Sequence, residues 1–251
     1  MLRLVQFLMI AFILVDASAS KAQATISFKG KELGEHRVIN GVSLHSGIEG
    51  ELRTYHATVV KSIEAPFDFI VDKILRFQDR CNNEYKDKRV NLAKDFVCPY
   101  HNDNLVESVP IREFKASAPA MEADLKDRFI LWRNIYNRED FNYYDMVEVR
   151  EISRVKGKRE YKITYRMLND DEVAKFLDEP KKKNSAFNHV EGGYLVKEEE
   201  QVKTRVELMY ATQTDHWLLN SGLAVSVVMK NVAKGTNNTL DQLTQAVLKS
   251  N

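Results

Sequence analysis

Cysteine is scarce in this chain of 251 residues: Cys81 and Cys98 are the only two. Zinc sites built on thiolates need more of them, and the pair lacks the CxxC spacing of a thioredoxin-like motif. An excess of charge of either sign is missing as well, with 37 Lys and Arg against 36 Asp and Glu. Without a basic field, electrostatic binding to nucleic acid or to an acidic membrane is excluded for the molecule as a whole. No apolar run reaches the roughly 20 residues that span a bilayer as a helix. The common signatures of catalysis are absent too: there is no GxSxG, no P-loop and no GxGxxG. Six histidines occur (His36, His45, His56, His101, His189 and His216), but none falls into HxH, HExxH or a carboxylate pairing at ligand spacing. Neither a metal nor a cofactor is expected.

What is present begins with a basic start at Arg3, an apolar stretch over residues 4–15 (LVQFLMIAFILV) and then small residues. That order predicts a secretory signal peptide over residues 1–24, cut after Ala24, with Ala19 as the second choice and an uncleaved anchor as the alternative. No cysteine lies close enough to carry a lipid. The expected location is therefore periplasmic or secreted. In an oxidising compartment Cys81 and Cys98 can close a disulfide over a loop of about 17 residues, worth about 3 kcal/mol in the chain-entropy picture. Two buried free thiols, or a catalytic thiol, are the alternatives.

Residues 25–50 hold five of the ten glycines and read as an irregular N-terminal extension with one short strand. From residue 51 the texture changes. ELRTYHATVVKSI alternates apolar and polar residues in the manner of a strand. EAPFDFIVDKILRFQD then places Phe67, Ile70, Ile74 and Phe77 at helical spacing behind Pro66. Strand-like segments follow at 105–117, 128–139, 143–155, 158–168, 189–199 and 201–214, with a short helix before Pro180. Tight turns between them predict antiparallel neighbours in one sheet, and Gly192-Gly193 predicts a bulge. The end of the chain, from TDHWLLNSGLAVSVVMKNVAKG onward, predicts a helix of about 30 residues, with Val227 making its first half apolar on the back. A strand over LAVSVVM is the rival reading.

The strand-to-helix passage SIEAPFDFIVDKILRFQD and the closing hairpin and helix VEGGYLVKEEEQVKTRVELMYATQTDHWLLNSGLAVSVVMKNVAKG resemble the START-like, or SRPBCC, helix-grip superfamily over residues 51–251. The resemblance implies an α+β fold, a curved antiparallel β-sheet wrapped around a long C-terminal α-helix, with a hydrophobic tunnel between them. It further implies a non-catalytic carrier or sensor that binds a lipid or related amphiphile. A polyketide cyclase or aromatase-like enzyme is one alternative, and an envelope protein that binds a partner or serves structure alone is another. The residues expected to line the ligand are Leu131, Arg133, Leu218, Gly222, Val225, Ser226 and Met229, with loops 99–104 and 178–188 gating the mouth. Arg133 sits mid-strand among apolar neighbours, where it either holds a ligand head group or pairs with a carboxylate such as Glu148 or Glu207. Tyr143, Tyr144 and the lysines at 181–183 offer a surface for transient membrane contact, or are simply solvated. Protein partners are not legible.

Overall fold

Alternating polarity along residues 52–63 puts Tyr55, Ala57, Val59 and Ile63 on one face of an extended strand, all of them buried. In the computed structural model of the chain this strand lies within a curved nine-strand sheet. The structure describes residues 27–28, 31–114, 124–136, 140–155, 157–180, 184–185, 187–216, 221 and 224–248. In chain order, β1 (Ser27–Phe28) and β2 (Lys31–Glu32) pair with each other alone. Next come β3 (Glu35–Ile39), β4 (Val42–Glu49), β5 (Leu52–Ile63) and helix α1 (Phe67–Leu75). Two-residue strands β6 (Arg80–Cys81) and β7 (Tyr100–His101) pair in parallel. Then follow β8 (Leu105–Phe114), β9 (Leu125–Tyr136), β10 (Asp140–Val155), β11 (Lys158–Met167) and helix α2 (Asp170–Phe176). The chain closes with β12 (His189–Glu200), β13 (Lys203–Thr214) and helix α3 (Val225–Leu248).

The sheet runs in the order β3-β4-β5-β13-β12-β11-β10-β9-β8, with every neighbouring pair antiparallel. Its concave face carries Ala57, Val206, Leu208, Val196, Ile163, Val147 and Leu131, and both α1 and α3 bury their apolar stripes there. From α1 these are Phe67, Ile70, Val71 and Ile74; from α3 they are Val225, Met229, Ala233, Leu240, Leu243 and Val247. The 3-and-4 spacing is what lets one helix face supply all of them. Helix α3 packs over β4, β5 and β13 and against α1, so it grips one half of the sheet. On the convex side α2 lays Val173 over Ile130, Trp132, Tyr144 and Met146. A capping box fixes its start: the Asn169 side chain accepts from Glu172 N–H while Glu172 accepts from Asn169 N–H. Among the described residues no helix is long and apolar enough to cross a membrane.

Four sequence expectations need correction. Residues 35–49 do not form an irregular layer but a hairpin that extends the sheet; Asn40 and Gly41 both adopt positive φ, as a type I′ turn requires. Gly192 and Gly193 pair in unbroken register with their neighbours, and the irregularities fall elsewhere, at Leu105/Glu107 and Pro110/Arg112 in β8 among other places. The first helix stops at Leu75, where Arg76 leaves helical geometry, and a single 3-10 turn over Phe77–Asp79 follows. In α3, Val225 to Met229 are helical as the favoured reading expects, but Val227 is 59% exposed instead of covered. Cys81 and Cys98 are bridged, with a Cα–Cα distance of 5.4 Å.

Candidate ligand site on the concave face

Strand register decides which side chains meet. Arg133 of β9 faces Ser108 of β8 and Tyr143 of β10, while Leu131 faces Asp145, which in turn faces Met167 of β11. Directly opposed residues share a face, so all six point into the concavity. The Arg133 Nε donates to Asp145 Oδ2, and its guanidinium carbon lies 5.3 Å from the centre of the Tyr165 ring. The carboxylate is fully buried, yet the arginine side chain keeps 18% of its surface open. Oδ1 of Asp145 and the Ser108 hydroxyl are buried without a hydrogen-bond partner among the described residues.

Burial opposes the charge on Arg133, but Asp145 outweighs it and raises the pKa, so the guanidinium stays protonated. Burial also raises the Asp145 carboxyl, with Arg133 pulling the other way. The phenols of Tyr143 and Tyr165 are pushed well above their ordinary range by burial, and Tyr210 is pushed up to about 12 for the same reason. At neutral pH these three are therefore donors, not bases.

Tyr165 reaches its place only because of Gly192. A Cβ there would stand 2.5 Å from the Tyr165 hydroxyl and 2.4 Å from the Met209 carbonyl oxygen. From the open side Arg80 reaches in, Nη1 donating to the Tyr194 hydroxyl at 3.0 Å, while its Nη2 is buried without a partner among the described residues. Toward the β9–β12 end, Tyr143, Met167 and Val190 form an apolar cluster with Ile135, Phe187 and Tyr210, each only partly covered.

The residues named from sequence divide three ways. Leu131, Val225 and Met229 come together in the main core, with Arg133 one register step from Leu131. Ser226 lies away from them, its hydroxyl accepting from Arg37 Nη1 at 2.7 Å. Leu218 and Gly222 fall outside the described residues. The partner of Arg133 is Asp145 rather than Glu148 or Glu207. Glu148 is on the other face, between Arg128 and Arg150, and Glu207 pairs across the sheet with the outward Val60 and Leu195. Missed altogether were Asp145, Ser108, Tyr165 and Tyr210, while Tyr143 and Tyr144, expected at a membrane-facing surface, are both buried. Asp145 was detectable, because it shares the parity of Tyr143, Val147 and Val149, a charge in a core position.

Of the loop 178–188, expected to gate a mouth, Phe187 borders this face, whereas Asp178 and Glu179 line a cleft of about 520 Å³ beside Trp132 and Tyr144. Among the described residues no group of three or more His, Cys, Asp or Glu side chains is gathered as a metal site.

No family model matches the chain. No curated protein matches it either. Solved structures do. Human STARD10 is 14% identical over 86% of this chain and 72% of its own, with a TM-score of 0.48. A STAR-related lipid transfer protein fragment from Xanthomonas axonopodis is 11% identical over 83% and 94%, with a TM-score of 0.47. The Zhui aromatase/cyclase from Streptomyces sp. R1128 is 11% identical over 78% and 93%, with a TM-score of 0.44. At such identities the likeness concerns fold alone. The described topology itself, a curved antiparallel sheet gripping a C-terminal helix with a second helix entered from β5, is the α+β helix-grip arrangement expected from the sequence.

Proposed function

We propose that this chain is an exported carrier or sensor for an uncharged amphiphile, held on the β9–β12 half of the concave face with its polar group at Arg133. The single observation behind this reading is a buried ion pair whose cation still has open surface in an aromatic, apolar setting. Under α3 the side chains of Met229, Leu240 and Leu243 are packed shut, so the tunnel expected between the sheet and the terminal helix is filled there, and the reading assigns the guest to the other half of the sheet. Because Asp145 already balances Arg133, a neutral hydroxyl or carbonyl group satisfies that guanidinium, whereas a carboxylate or phosphate has to compete with Asp145 for it. An apolar body burying about 400 Å² contributes roughly 10 kcal/mol at 25 cal/mol/Å² before lost motion is subtracted. A cyclase-like enzyme would need a base here, but Asp145 is engaged by Arg133 and the phenols hold their protons. Export rests on residues 1–24, which lie outside the described residues, and the Cys81–Cys98 bridge supports an oxidising compartment.

The test pairs native mass spectrometry and organic extraction with titration of a fluorescent long-chain alcohol and the matching carboxylic acid. The alcohol should bind more tightly than the acid. Replacing both charges together, Arg133→Met with Asp145→Leu, avoids stranding one of them and should weaken alcohol binding by about tenfold, the worth of one good hydrogen bond. A protein that extracts clean and binds neither probe would overturn the reading.

A further inference from the structure

Arg89 is only 6% exposed, yet among the described residues every acceptor it meets is neutral. Its Nη1 donates to the Phe96 carbonyl, and its Nη2 reaches the Asn82 carbonyl at 3.4 Å and Asn83 Oδ1 at 3.1 Å. Its Nε is buried with no partner among the described residues. The nearby buried carboxylate, Glu107, is committed elsewhere: it accepts from the backbone N–H groups of Val90, Asn91 and Leu92 and from the Trp132 indole. A buried guanidinium without an anion is costly. One further neighbour stands out, because Nη2 lies 3.1 Å from Sγ of Cys98, half of the bridge to Cys81.

We propose that the Cys81–Cys98 bridge is a reversible redox clasp, in which reduction turns Cys98 into a thiolate that supplies the anion Arg89 lacks. A dithiol is the reductant. Its first thiolate bonds to Sγ of Cys98, the less enclosed of the two sulfurs, and the bridge breaks with Cys81 leaving and taking up a proton. Its second thiolate then attacks the reductant's own sulfur in the mixed disulfide, forming the reductant's disulfide and expelling Cys98 as a thiolate. Two electrons pass to the bridge, and the dithiol gives up two protons, one to Cys81 and one to solvent. Positive charge beside the departing sulfur favours that second step and the reduced state that follows. Reduction does not cast the loop adrift, because the Glu107 contacts with residues 90–92 and the Cys98 N–H bond to Asn83 Oδ1 at 2.9 Å do not involve the bridge. The two sulfurs therefore stay near each other and the bond can re-form.

The experiment is pulsed alkylation of the dithiothreitol-reduced full chain with iodoacetamide across pH, read by peptide mass spectrometry, with circular dichroism on the same samples. Cys98 should react with a midpoint about two units or more below the ordinary thiol value of about 8.5, and that low midpoint should vanish in urea. Arg89→Met should return the midpoint to the ordinary range and shift the balance in dithiothreitol buffers about tenfold or more toward the disulfide, while Arg89→Lys should restore much of the effect. Should Arg89→Met fail to fold, the comparison of folded and urea-unfolded natural chain decides alone. Ordinary midpoints for both thiols in the folded protein, or loss of fold on reduction, would overturn the proposal.

Discussion

At the scale of single residues, the concave site depends on one missing side chain. The Tyr165 ring crosses β12 at Gly192, so that even its Cζ would be 2.7 Å from an added Cβ, and the Met209 carbonyl blocks the other escape. Backbone cannot yield as a flexible side-chain end can. Gly192→Ala should therefore cost about 2–3 kcal/mol, seen as a lower urea midpoint at unchanged m-value, and should displace Tyr165 from beneath Arg133. Sequence pattern made Gly192-Gly193 conspicuous but pointed to a bulge, because a strand glycine relieves crowding in either way and the choice rests on what lies across the sheet. Arg133 was legible as an anomaly for a related reason: a charge at a core parity position needs an explanation. Its partner was not, since choosing Asp145 over Glu148 depends on knowing which face each carboxylate takes, and one residue of register reverses that answer.

Elements were easier to read than contacts. Period-two alternation and turn residues placed β5 and β8 to β13 close to their observed limits, since half-buried strands must alternate. The hairpin of β3 and β4 escaped notice because glycine-rich sequence reads as loop, although the Asn40-Gly41 dipeptide carried the signal for its turn. Helix α3 was legible from its apolar spacing despite Gly235, which sits exposed in its middle with nothing within 4 Å of an added Cβ. Such a glycine costs the helix backbone entropy without serving any contact. Gly235→Ala should accordingly raise stability by about 1 kcal/mol, measurable as a higher thermal midpoint, with ligand binding unaffected.

Across the whole molecule, the β3–β4 hairpin is coupled to the rest of the sheet through a row of imidazoles. His36, His45 and His56 sit side by side on β3, β4 and β5, their ring centres 4.5 and 6.3 Å apart, with the Ser43 hydroxyl between the first two. Burial, and then His36, lowers the pKa of His45; burial, and then His45, lowers that of His56, against an opposing pull from Glu191. The folded form thus binds these protons less readily than the unfolded chain does, so their contribution is intact above about pH 6.5 and declines as the pH falls below it. The lowered carboxyls of Glu148, Glu172 and Glu198 take effect further down, below their ordinary range near 4.5. Urea midpoints should therefore drop between pH 7.5 and pH 5, and the drop should shrink in a His45→Gln, His56→Gln variant; an identical drop in that variant would remove the histidines from the explanation. The sheet also remains an open one with two rims. On the β8 side Pro110 lacks an N–H and two register slips break the ladder; on the β3 side the strand is five residues long and Arg37 is hooked onto Ser226. Neither border offers a straight run of free amides on which a stray strand from another copy can zip, so a chain this rich in β-structure carries its own guard against stacking into fibres.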